Sequence, residues 1–215
     1  MRRIFHTAFV AGAIAGLLSF AIQAGTLLPM IDRAELLEHP AAIGAGGHLG
    51  YALLADLLAG VGFALVLAGS FALAERHGAA VDFRRGLLWG AAGFLAFALA
   101  PALGLPPALP GSEAGNLLAR QAWWLGTALA TAGGLAALVF ARRGLWRIAG
   151  VAAILAPHLV GAPQAPSAGL ASAFALLSLA GSALFWLVLG GCGGFFFHRL
   201  GADTDRYAAR SPAPR

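Results

Sequence analysis

The stretch IAGVAAILAPHLVGAPQAPSAGLASAFALLSLAGSALFWLVLGGCGGFFFH, Ile148 to His198, runs for 51 residues without an Asp, Glu, Lys or Arg. A helix needs roughly 20 apolar residues to cross the hydrocarbon of a bilayer, so this run holds two crossings joined by a break. Pro157, Pro163 and Pro166 mark the break, and His158 is the one imidazole in the interior of the run. The chain is therefore expected to be an all-α integral membrane protein with an ionisable ring beside a helix break.

Further runs lie outward of this one. Ile4–Ile31, Gly86–Ser112 and Gln121–Ala141 carry no charge, and His39–Ala74 carries only Asp56. With 60% hydrophobic residues, 11% charged residues and a mean hydropathy of +0.80, the composition excludes an ordinary soluble domain. The pattern predicts six membrane helices in hairpins, at about 5–29, 51–74, 86–104, 120–141, 148–165 and 170–196. They make one membrane domain over 1–199, followed by a short polar tail over 200–215 that is expected to be disordered. The first run continues past the roughly 7–15 residues of a secretory core, with no clear small-x-small cleavage site, so it reads as a retained helix.

All 14 basic residues are Arg, and the net charge is +5. With six crossings, Arg2, Arg3, Arg76, Arg84, Arg85, Arg142, Arg143, Arg147, Arg199, Arg206, Arg210 and Arg215 share one side. Only Arg33 and Arg120 fall on the other. Cytoplasmic loops are the arginine-rich ones, so both termini are expected in the cytoplasm. The basic balance thus reports topology; no basic helix is present to enter a nucleic-acid groove. Cys192 is the only cysteine, which leaves no disulfide framework and no cysteine metal site.

An internal repeat is visible. Arg84-Arg85-Gly86-Leu87-Leu88-Trp89 opens the third span, and Arg142-Arg143-Gly144-Leu145-Trp146 opens the fifth. Ala100-Pro101-Ala102-Leu103 is echoed by Ala156-Pro157-His158-Leu159, each with a further proline at Pro107 and Pro163. Spans two apart enter from the same side, so the third–fourth and fifth–sixth spans read as parallel copies. Where one copy has Ala102 the other has His158, so the proline turn itself does not require the histidine.

Small residues recur at helical spacing: Gly12 and Gly16, Gly86 and Gly90, Gly133-Gly134, Ser178 and Ser182, and Gly190-Gly191 with Gly193-Gly194. In lipid such positions let helix backbones approach, so these are expected bundle interfaces. Ionisable groups at membrane depth are costly and tend to face an interior or a water-filled cavity. Asp56 with His48 near it, Gln23, Arg120-Gln121 and His158 all fall toward the outer side, which suggests one polar vestibule. Each also has a plain reading: Arg120 pairing with Asp56 or Glu113, Gln23 as an interhelical hydrogen bond, His158 bonding carbonyls freed by the prolines. Trp123 and Trp124 read most simply as interfacial belt residues. Pro101, Pro106, Pro107 and Pro110 cannot continue a helix and make a rigid outer loop. Imidazole, carboxylate and amide oxygen together suit Co²⁺, Ni²⁺ or Zn²⁺.

Several strings together resemble the CbtA family of probable cobalt transporter subunits, over nearly the whole chain. They are Gln23 to Pro29-x-Ile31 with Glu35, Trp89-Gly90-x-x-Gly93-Phe94, and Ala100-Pro101-x-Leu103-Gly104-Leu105-Pro106-Pro107. Leu109-Pro110-Gly111, Leu118-x-Arg120-Gln121-x-Trp123-Trp124 and Pro157-His158-Leu159-x-Gly161-Ala162-Pro163 complete the set. The resemblance implies a bacterial inner-membrane protein that supplies cobalt for cobalamin synthesis, with a small single-span, His-rich partner of the CbtB type. Two departures stand out: the loop after the first span has only His39 and His48, and Ala108 replaces an expected Glu. Both shift metal capture toward the partner. The family is usually given five spans, which a half-inserted fifth segment breaking at Pro157 reconciles with six.

The resulting expectation is a non-enzymatic permease subunit for a divalent metal, most simply Co²⁺ as cargo, with no tightly bound cofactor. Metal contacts are expected from His158, Asp56 and His48, and a pathway from Gln23, Arg120 and Gln121. Pro101, Pro106, Pro107, Pro110, Pro157 and Pro163 shape the structural loops. Two rivals stay open: a substrate-binding membrane subunit for a small organic solute such as a vitamin, and a non-transporting scaffold. No nucleophile–base pair or metal triad of known spacing points to an enzyme, and no phosphate-binding loop points to bound ATP.

Overall fold

The computed structural model describes residues 1–38, 46–109, 116–163 and 172–210. The regular elements among them are helices: α1 (Arg2–Gly25), α2 (Leu27–Glu38), α3 (Gly46–Arg76), α4 (Phe83–Phe94), a π-helical turn (Leu95–Leu99), α5 (Ala100–Gly104), α6 (Leu117–Phe140), α7 (Gly144–Val160) and α8 (Ala173–Arg210). α4, the π turn and α5 form one continuous rod, Phe83–Gly104. That rod, α1, α3, α6 and α8 are each long and apolar enough to cross a bilayer. The fold is therefore an all-helical, multi-span membrane protein. The remaining apolar helix, α7, has 17 residues, or roughly 25 Å at the helical rise.

The first and last helices depart from the sequence reading. α1 stops at Gly25, and α2 follows after a single residue. Thr26 makes that corner, donating its hydroxyl to the Ile22 carbonyl (2.7 Å) and its N–H to the Gln23 carbonyl (3.2 Å). Pro29 is the third residue of α2, inside the first turn, where the missing N–H costs nothing. α8 continues to Arg210 instead of giving way to a disordered tail; beyond Gly201 the chain has no glycine or proline before Pro212 to stop it. Residues 211–215 lie outside the described part, as do His39, Pro110, Glu113 and Pro166.

The proline at 101 explains the π turn. In an α-helix the N–H of residue 101 would meet the carbonyl four residues back; proline has no N–H, and its ring collides with that carbonyl. The rod widens just before it, so that the Ala100 N–H bonds to the Leu95 carbonyl, five residues away. A π turn holds one extra residue. The two repeat copies are offset by 58 residues at their arginines and 56 at their prolines, and the π turn takes up one of those two residues.

The chain divides into two compact units, one of Met1–Ala21, Gly50–Ala91 and Leu184–Arg215, the other of Ile22–Leu49 and Ala92–Ala183. In the first, α1 and α3 cross at bare backbone. A methyl added at Gly12 would lie 2.6 Å from the Val61 Cα, and one at Gly16 2.6 Å from the Asp56 carbonyl oxygen. α4 meets α8 in the same way, Gly86 on Gly190 and Gly194, Gly90 on Trp186 and Gly190, so these two helices run antiparallel. Aromatic rings fill the flanks: Phe71 packs on Trp89 (5.8 Å between centroids) and Phe197 (5.5 Å), and Phe63 on Trp186 (4.9 Å).

One arginine fastens an end of this unit. Arg3 holds Glu75 with two nitrogens (2.8 and 3.0 Å), donates to the Phe197 carbonyl (2.6 Å), and lies 3.7 Å above the Phe197 ring. The start of α1, the end of α3 and the C-terminal part of α8 therefore share one face.

In the second unit α6 and α7 run antiparallel, joined by Ala141–Arg143. They touch at Gly134 and Gly150, where a methyl on Gly150 would stand 2.8 Å from the Gly134 carbonyl oxygen. Asn116 caps α6, its side chain accepting the Ala119 N–H at 3.1 Å. Gly161, in the left-handed region at φ +88°, ends α7, its N–H donated to the Pro157 carbonyl.

Candidate functional site

Three of the strings read from the sequence meet on one side chain in the second unit, Trp123. Its indole N–H donates to the Pro157 carbonyl at 3.3 Å. Its ring stands edge to face with the imidazole of His158, 5.9 Å between centroids at 77°. Gly104, closing α5, lies directly under the same ring: a methyl there would come within 2.7 Å of Cζ2, and 3.0 Å from the Ala162 Cβ. The Ala-Pro-x-Leu-Gly, Arg-Gln-x-Trp-Trp and Pro-His-Leu-x-Gly-Ala-Pro strings thus form one junction.

The chemistry of the junction follows from Pro157. Lacking an N–H, it leaves the Ala153 carbonyl without its usual helical donor. The Pro157 carbonyl itself accepts twice, from the Gly161 N–H at 3.1 Å and from the indole, which uses both of its lone pairs. The last turn of α7 is thereby held from both sides, and His158, half-buried, is carried on that turn. Its ring contact is with Trp123, whereas the sequence offered it carbonyls freed by the prolines.

Trp123 is half-buried, with its ring turned to α5 and α7. A belt tryptophan turns its N–H toward headgroups, but here the carbonyl of a proline-broken helix offers a nearer acceptor. Trp124 is 36% exposed and has its ring 6.4 Å from that of Phe97, a residue of the π turn.

The other expected residues are placed as follows. Arg120 is in the first turn of α6, half-buried, and its Nε is enclosed without a hydrogen-bond acceptor among the described residues. Gln121 beside it is exposed. Gln23 is half-buried in the last turn of α1. Pro101 is fully buried and its carbonyl accepts the Leu105 N–H (2.8 Å); Pro106 is buried, and Pro107 and Pro163 are half-buried. His48 is in the first turn of α3, with its side chain outside the described part.

Asp56 belongs to the first unit, and His158, Gln23, Arg120 and Gln121 belong to the second. Asp56 is half-buried at the α1–α3 crossing, where Ser19 donates its hydroxyl to Oδ1 at 3.1 Å. Ser19 was missed from the sequence, although it falls three residues after Gly16 on the face that the glycines define. Among the described residues no three His, Cys, Asp or Glu side chains gather as a metal-binding group.

The sequence matches the model of the family described as probable cobalt transporter subunit, CbtA, over residues 1–198. No curated protein and no solved structure matches it. A match over nearly the full length, by a chain folded as a multi-span helical membrane protein, settles the assignment: the chain belongs to the CbtA family of probable cobalt transporter subunits.

Proposed function

We propose that the chain is a permease subunit that carries a divalent transition-metal ion, Co²⁺ in the first instance, into the cytoplasm for cobalamin synthesis. The observation that carries the reading is His158, an imidazole on a broken helix end, aimed by Trp123 within the region that matches the family. Ionisable side chains in membrane helices mark ion pathways by default, and imidazole is a good ligand for Co²⁺. In this proposal the ion passes through few protein contacts at a time and keeps much of its water. Weak, successive contacts suit transport, because a site must release what it binds.

In the second unit His48 is the further metal contact in this proposal, and Gln23, Arg120 and Gln121 line the pathway; in the first unit Asp56 is a metal contact of its own. The enclosed Nε of Arg120 supplies fixed positive charge that keeps the empty pathway from holding a cation too tightly. A small single-span, His-rich subunit of the CbtB type delivers the metal from outside, in keeping with a family described as a subunit. The membrane is the bacterial cytoplasmic one. Both termini are cytoplasmic, which the shared face of Arg3 and Phe197 and the arginine bias support.

Radiolabelled cobalt accumulation in cells lacking other cobalt importers tests the proposal. Expression of this chain with its partner should raise uptake, His158→Ala should abolish the gain, and membrane abundance should stay constant. In the purified protein Co²⁺ should quench tryptophan emission, and Trp123→Phe should remove most of that quenching. Uptake and quenching both unchanged in His158→Ala would overturn the site.

A further inference from the structure

The repeated Arg-Arg-Gly-Leu-Trp string is used in opposite ways by its two copies. In the first, the Arg85 N–H bonds to the Asp82 carboxylate (2.8 Å) and an Arg85 Nη donates to the Ala80 carbonyl (2.6 Å). Its tryptophan, Trp89, turns inward onto Phe71. In the second copy the tryptophan turns outward: Trp146 is 59% exposed and Leu145 beside it 73%. Arg142, Arg143 and Arg147 are all exposed.

No carboxylate of α6, α7 or their connection answers that charge. From Ala114 to Ala202 the sequence has no Asp or Glu, so α6, α7 and their connection supply none. The Arg3–Glu75 ion pair belongs to the other unit. The Arg147 Nε donates to the Ala141 carbonyl at 3.2 Å. That bond folds the side chain back over the turn that carries Arg142 and Arg143, and uses one of its five N–H donors.

The level of this cluster in the bilayer is fixed by α6. Its 24 residues make roughly 36 Å of helix, more than the roughly 30 Å of hydrocarbon. Its C-terminal end, and the turn that follows, are therefore at headgroup depth. Three arginines on helices that carry no acid, beside an exposed tryptophan and leucine at that depth, present a fork for phosphate oxygens and an apolar shelf for acyl chains.

From this we infer that the Ala141–Arg147 turn binds an anionic phospholipid, with its phosphate held by Arg142, Arg143 and Arg147 and its acyl chains laid along Leu145, Trp146 and Ile148. The bound lipid pins the arginine end of α7 at the membrane face. A helix of 17 residues is marginal for a full crossing, so this anchoring sets the depth at which the other end of α7 carries His158.

The test uses the full chain purified in detergent, with dioleoyl phosphatidylglycerol and dioleoyl phosphatidylcholine as competing probes, read by native mass spectrometry. Phosphatidylglycerol should be retained over phosphatidylcholine. Retention should weaken roughly fivefold for each arginine changed to Gln, and roughly a hundredfold in R142Q/R143Q/R147Q. R84Q/R85Q should leave it within about twofold, and millimolar inorganic phosphate should not displace the lipid. If the triple variant fails to insert, R147Q and W146A singly carry the comparison, since both positions are exposed. Equal retention of the two lipids, unchanged retention in the arginine variants, an equal loss in R84Q/R85Q, or displacement by inorganic phosphate would each overturn the inference.

Discussion

Trp123 is the residue through which the junction is held, and its two functions separate by substitution. Trp123→Phe keeps the ring against His158 and Gly104 but deletes the hydrogen bond to Pro157, so it should cost about 1 kcal/mol in the stability of the solubilised protein. Gly104→Ala pushes a methyl into the indole and should cost about 1–3 kcal/mol. In a Trp123→Ala background most of that cost should vanish, because the obstructing ring is gone; thermal melting of the four proteins gives the coupling. Additive losses would mean that Gly104 matters for its backbone and not for the ring. At the other candidate contact, Asp56→Asn leaves Ser19 an acceptor and removes the charge. Cobalt uptake should fall at unchanged abundance and melting temperature, and a parallel loss of protein would make Asp56 a packing residue.

Between helices, closeness of approach depends on which glycine faces which backbone, and adjacent glycines can behave in opposite ways. Gly134 is against the Gly150 carbonyl and the Ile154 side chain, whereas nothing lies within 4 Å of the place a Gly133 methyl would take. Gly134→Ala should therefore separate α6 from α7 and lower the melting temperature. Gly133→Ala should raise helix stability by roughly 0.5–1 kcal/mol, as glycine to alanine does on an open helix face. Matching effects at the two positions would contradict the α6–α7 register. The same logic makes Gly86 and Gly190 intolerant of any side chain, since each meets the other helix's carbonyl, while Gly62 is open. The π turn belongs to this scale too. It is the local answer to Pro101, and it sets the rotation at which Gly104 emerges beneath Trp123.

For the whole molecule the decisive quantity is the parity of crossings. Arg3 and Phe197 touch, so the start of α1 and the C-terminal part of α8 lie at one end of the first unit; the proposed six crossings would put both on one side of the membrane, and five would part them. In a Cys192→Ser background, single cysteines replacing Arg2, Arg142 and Arg199 should all react with an impermeant maleimide from the cytoplasmic side only; labelling of the Arg199 position from outside would mean that α7 does not cross. Membrane residence and the number of apolar segments were legible in the sequence, because about 20 uncharged residues in a row have one stable environment. The glycine pairs were legible as packing faces, since three- and four-residue spacing is a property of one helix. Of the site, the sequence named His158 and the proline break. It could not say that Trp123 turns inward to them, that Asp56 takes its hydrogen bond from Ser19, or which half of the repeat hides its tryptophan. Whether a residue is apolar enough to enter the bilayer is decided one residue at a time, by transfer from water. The direction its side chain then faces is decided by which helix lies beside it, a contact between residues distant in sequence that only the folded chain brings together.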